Sequence, residues 1–201
     1  MLTTKLQKLI VVISITLIIA ISILCLFGNQ LLFHGCLWWE CAPKRSFTVF
    51  DLNLSKDFFP SDAEIHDLHV LRGDNVAVEA ASTTNYWDNG SAIYIVRRFA
   101  TEAQAIQHYN FDIQVKFTKR PNDNDEYSDI ITYQSKNANS SSTQCGYVIN
   151  DFRCIYVARY AEFTIFFNGS IGENEMAKDD FLEAIMSIDD TIGNLLMASS
   201  K

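Results

Sequence analysis

Asp62, His66 and His69 lie four and three residues apart, so on a helix they would share one face, with Glu64 and Asp67 alongside. Two imidazole nitrogens beside carboxylate oxygens are the chemistry of a divalent-metal site, but no fourth ligand stands at a recognisable spacing. An exposed acidic helix with two ordinary histidines accounts for the same residues, and no metal is expected. Asp123, Asp125, Glu126 and Asp129 crowd a second acidic stretch after Pro121. Calcium loops alternate oxygen ligands around a glycine turn; the run from Asn122 to Tyr127 has no glycine and reads as a solvated loop.

The chain shows no Gly-x-Ser-x-Gly elbow, no His-Glu-x-x-His and no phosphate or dinucleotide loop. His108, beside Tyr109, reads as a boundary residue of a helix rather than a base. No catalytic residue and no cofactor is therefore expected. Two functional classes remain: a non-enzymatic binding or accessory module, and, as the alternative, a cell-envelope hydrolase with dispersed acidic residues.

The cysteines carry more information. Cys145 and Cys154 flank the turn signal Asn150-Asp151, which in a hairpin places them opposite each other or one pair out of register, near enough for a disulfide. Cys36 and Cys41 form a second candidate pair, and such paired spacing belongs to oxidising compartments. Cys25 reads as a buried small apolar residue. Asn53, Asn89, Asn139 and Asn168 each begin an Asn-x-Ser sequence, the pattern of N-glycosylation.

What positions these residues begins with the run Leu9–Phe27, nineteen residues without a charge, glycine or proline. As a helix it would be about 28 Å long, close to the thickness of a bilayer's hydrocarbon core. It exceeds the apolar stretch of a signal peptide and is followed by no Ala-x-Ala cleavage site, so an uncleaved anchor in membrane lipid is expected. Ser14, Thr16 and Ser22 can bond back to the carbonyl one turn earlier. Lys5 and Lys8 place residues 1–8 in the cytoplasm and the rest of the chain outside, as a single-pass membrane protein. Residues 28–45 read as a juxtamembrane linker in which Trp38, Trp39 and Phe33 suit an interfacial aromatic belt.

The first 44 residues carry Lys5, Lys8 and Lys44 against Glu40, a charge of +2, so the remainder holds −10 of the chain's net −8. An acidic domain repels phosphate backbones, so no nucleic-acid partner is expected; an envelope protein or a small ligand is. Residues 46–201 suffice for one domain with a proper core.

Its pattern reads as a short strand or extended lead-in over 46–54, a capped helix from Ser61 to about Val70, and strands over 76–83 and 92–99 around Asn89-Gly90. A helix follows over 102–115, with Ala103, Ile106, Asn110 and Ile113 on one side. Strands come next over 129–134, 144–149, 152–159 and 162–168. A long helix capped at Asn174 ends the domain, with Phe181, Ile185, Ile188, Ile192 and Leu195 on its apolar face and Asp179, Asp180, Glu183, Asp189 and Asp190 on the other. Short turns dominate over crossovers. The expected class is α+β: an N-terminal transmembrane helix followed by an antiparallel sheet covered on one face by helices.

Overall fold

The computed structural model describes residues 2–114, 131–148 and 151–199, and the chain divides between Cys41 and Ala42 into two compact units. In the first unit, helix α1 spans Leu2–His34 and runs on past Phe27, since Gly28-Asn29-Gln30 lowers helix propensity without breaking the hydrogen-bond ladder. It stops at Gly35, whose φ of 67° suits a residue without Cβ, and the Gly35 N–H closes the helix on the Leu31 carbonyl. The stretch Ile10–Leu31 is long and apolar enough to cross a membrane. Thr16 and Ser22 hydroxyls bond to the carbonyls of Val12 and Ile18, as expected. Cys25 is a free thiol exposed on the helix surface, not a buried one.

The second unit is the expected α+β domain, built on a six-stranded antiparallel sheet. The strands are β1 (His69–Val70), β2 (Glu79–Trp87), β3 (Gly90–Arg98), β4 (Ser140–Val148), β5 (Asp151–Tyr160) and β6 (Phe163–Ser170), in the order β1-β2-β3-β6-β5-β4. Helix α2 (Glu102–Asp112) joins β3 to the second half, and α3 (Lys178–Ala198) closes the chain.

Period-two alternation gives each strand two faces. Tyr94 and Val96 of β3, Tyr156 and Tyr160 of β5, and Phe163, Ile165 and Phe167 of β6 point to the main core. Over them lie Phe181, Ile185, Ile188 and Ile192 of α3, with Val49, Leu52 and Phe59 from the lead-in segment. Phe167 and Phe181 stack with centroids 5.0 Å apart. Burying each such side chain contributes about 1.5–3 kcal/mol. On the opposite face, Ile155, Val157 and Phe166 pack against Tyr109 and Ile113 of the α2 region, so a second, smaller cluster covers part of that side.

Several elements differ from their sequence reading. The capping signature at Ser61–Glu64 starts a turn instead of a helix, and residues 64–70 are extended. Distant side chains satisfy this backbone: Asn85 Oδ1 accepts the His66 N–H, Asn53 Oδ1 accepts the Leu68 N–H, and the Thr83 hydroxyl donates to the His66 carbonyl. Residues 46–54 hold a 3₁₀ turn over Val49–Leu52, not a strand, with Thr48 and Asp51 in a reciprocal cap. Residues 131–134 form no strand, and 129–130 lie outside the described residues. The buried side of α2 is Ala105 and Tyr109, with Ala103 and Ile106 turned outward. Helix α3 begins at Lys178, because the segment before it is spent on a bridge between Ile171 and Met176. Neither Asn89 nor Gly90 adopts positive φ. Glycine is required at 90 for another reason: a Cβ there would lie 2.7 Å from Trp87 Nε1.

Candidate functional site

The hairpin β4–β5 pairs Cys145 directly with Cys154, and the disulfide joins Cα atoms 4.1 Å apart. Cys36 and Cys41 are bonded as well, across a Cα separation of 5.2 Å. The other chemistry-bearing residues do not converge. With no helix over 61–70, Asp62 turns to accept the Asp88 N–H, His66 lies 3.6 Å from Glu64, and His69 pairs with Ser82 at the sheet edge. Among the described residues no three His, Cys, Asp or Glu side chains are grouped to hold a metal ion. The acidic stretch 123–129 lies outside the described residues. His108 Nδ1 sits 3.1 Å from Asp112 Oδ2 and its ring lies against Phe99. Of the four glycosylation sequences, Asn53, Asn139 and Asn168 use their side-chain oxygens internally, accepting from Leu68, Ala161 and Arg153; Asn89 sits exposed at the β2–β3 turn.

Four polar clusters emerge that spacing alone does not show. Glu162, fully buried, takes a two-pronged contact from Arg45 at 2.7 and 2.8 Å, and Arg98 Nε lies 3.8 Å away. The hydrogen bond that Arg45 donates to Glu162 raises the Arg45 pKa above its ordinary value, against the cost of burial. Arg97 pairs with Asp74 at 2.7 Å and approaches Asp112 at the end of α2, so it ties the helix to the sheet. Burial opposes ionisation of Asp74, but the Ala77 and Val76 N–H groups and Arg97 hold its pKa below the usual carboxylate range.

The third cluster surrounds Asp189, also fully buried. It receives the hydroxyls of Tyr133, Tyr160 and Ser135 and the Lys136 N–H. Burial works against its charge, yet these donors together hold its pKa low. Burial and the neighbouring carboxylate push the Tyr133 and Tyr160 hydroxyls well above the normal range. The sequence reading set Asp189 on the outer face of α3. A finer signal was present, because Ile185, Asp189 and Ile192 recur at helical spacing on one stripe. Gly193 completes this site: a Cβ there would run into Asn137, whose amide donates to the Asp189 carbonyl.

The fourth cluster lies where β3 and β5 begin and β6 ends. Arg153 bonds to Asn168, Asp151, Ser170 and the Ser91 carbonyl. Glu175 is close enough that burial first, and then the charge of Asp151, raise its pKa, with Arg153 pulling the other way.

One surface contrasts with these internally paired charges. Helix α2 packs on β5 and β6, while the same side of β2 and β3 carries no described helix. There Ala80, Ser82, Thr84 and Tyr86 run beside Ser91, Ile93 and Ile95, joined by pairings such as Thr84 with Ile93 and Ser82 with Ile95. Tyr86 is more than half exposed, and the others are half-buried. These seven positions are uncharged; at their borders Arg97 is paired with Asp74, and the exposed Glu64, bridged to Tyr86, lies 3.6 Å from His66. Hydroxyls, branched aliphatics and a tyrosine on a pleated surface can both hydrogen-bond and exclude water.

No family model, curated protein or solved structure matches this chain.

Proposed function

We infer that this protein is a membrane-anchored domain displayed on the oxidising side of its membrane, where it binds another protein as a non-enzymatic module. The helix Ile10–Leu31 supports the anchor, and the two disulfides that follow it in the chain support the oxidising side. Lys5 and Lys8 before the span favour a cytoplasmic N-terminus. The binding reading is carried by the uncharged β2–β3 face. In a domain of such negative charge, a patch free of charge with an exposed tyrosine matches the composition of a protein-interface core.

A photo-crosslinking residue at Thr84 or Ile93 of the full-length protein, in its own membrane, tests this reading. The expected result is one discrete adduct from these positions and none from Glu183 on the exposed side of α3. The same adducts from all three positions would overturn it. Protease added to intact cells should digest the domain if it is displayed outside.

The hydrolase alternative has one observation in its favour, the raised Glu175 beside Asp151 and Ser170. A carboxyl whose pKa is raised by burial can serve as a general acid. Loss of a hydrolytic activity on Glu175→Gln with unchanged thermal stability would move the assignment to that class.

A further inference from the structure

The segment after α1 folds back along the helix instead of leaving it. Leu37 O accepts the Glu40 and Cys41 N–H groups, the Cys36–Cys41 bond closes the loop, and the Gln30 amide approaches the Cys41 sulfur. Cys36 is buried. The reversal carries Trp38 and Trp39 down to Phe27, with ring centroids 5.8 and 6.2 Å away. Phe27 lies eight residues before Gly35, about 12 Å back along the helix axis. Both indoles nevertheless remain exposed, at 56% and 68%. They therefore stand beside the outer end of the apolar stretch Ile10–Leu31, whose 22 residues match the bilayer core in length.

We propose that the Cys36–Cys41 loop is a disulfide-closed interfacial lock, in which Trp38 and Trp39 enter the headgroup–acyl boundary of the bilayer crossed by α1 and fix how deep the helix sits. The inference rests on the anchor reading above. It adds that the bond between Cys36 and Cys41, rather than the sequence position of the tryptophans, sets their depth. Indole suits this boundary because its ring is apolar and its N–H finds water or ester oxygen. A bare helix end would leave the tryptophans ahead of the membrane surface. The fold-back returns them to it.

The full-length chain, reconstituted in phosphatidylcholine vesicles, tests the lock through tryptophan emission. The Trp38→Phe/Trp39→Phe double variant isolates the signal of Trp87, and subtraction gives that of the pair. The expected result is strong quenching by lipid brominated near the headgroup, weaker quenching by lipid brominated near the chain end, and little by aqueous iodide. In Cys36→Ser/Cys41→Ser the pair should lose bromine quenching, shift its emission to the red and become accessible to iodide. A vesicle-bound wild-type chain whose tryptophan pair is quenched by iodide and not by bromine would overturn the lock and leave the anchor standing. Unchanged bromine quenching in the serine variant would also overturn it. A chain that does not stay with the vesicles would overturn both readings together.

Discussion

Glu162 and Asp189 are both carboxylates with no solvent exposure, and the domain keeps them by opposite means. Glu162, in the tight turn between β5 and β6, is held by cations, Arg45 directly and Arg98 nearby. Asp189, in the middle of α3, is held by three hydroxyls and one N–H, with no cation bonded to it among the described residues. Burying a charge costs several kcal/mol either way. A cation recovers that cost through charge but becomes a liability once its partner is gone. Neutral donors recover it by number and geometry and can survive a neutral replacement. The two sites therefore differ less in strength than in how they fail.

Removing Glu162 should do the most damage. Glu162→Ala strands the guanidinium of Arg45, whose side chain is only 9% exposed, and should cost about 3–5 kcal/mol in urea unfolding of the solubilised chain. A loss below 1 kcal/mol would mean that Arg45 finds water or another acceptor, and the contrast would collapse. Ile185→Ala, one turn before Asp189 and fully buried, should cost about 2–5 kcal/mol by leaving a cavity. Its loss should be global, with Lys136 and Ala138 amides exchanging no faster relative to the rest of the domain.

Asp189→Asn keeps the shape and replaces one acceptor oxygen by a donor. The expected cost is about 1–3 kcal/mol, concentrated as faster hydrogen exchange at Lys136 and Ala138. The smallest effect is one of pH. Because the folded pKa of Asp189 lies below its ordinary value, its ionic stabilisation is complete above an unfolded carboxylate pKa of about 3.9 and fades as pH falls through the folded value. The stability gap between wild type and Asp189→Asn should therefore narrow in acid. A gap independent of pH would show that the carboxylate contributes through shape alone.

The difference between the two sites also marks what the sequence makes legible. The hairpins, the α+β class and the nearness of Cys145 and Cys154 were readable because alternation and turn residues are local signals. The apolar face of α3 was readable for the same reason, though one acid was placed on the wrong side of it. Counting Asp189 as polar put it with Asp190, while its spacing from Ile185 and Ile192 put it in the core. The helix expected over 61–70 failed because side chains from Asn53, Thr83 and Asn85 outcompeted a local cap. The Arg45–Glu162 pair joins positions 117 residues apart, and no periodicity reports on such a separation. The uncharged β2–β3 face needed the strand register and the location of α2, both products of the fold.

The place where the domain begins gives the Arg45–Glu162 pair a mechanical meaning. In the anchored reading proposed above, a load enters the domain at residue 42. The first non-covalent bonds it meets are Ala42 N–H to the Ala100 carbonyl at 2.7 Å, Arg98 to the Pro43 carbonyl at 2.8 Å, and the two-pronged grip of Arg45 on Glu162. Arg45 also reaches Ser199 at 3.2 Å, so the first and last segments of the domain meet at this one node. Tension arriving at residue 42 is shared there between the interior strands β3, β5 and β6 and the end of α3, before it can peel either away.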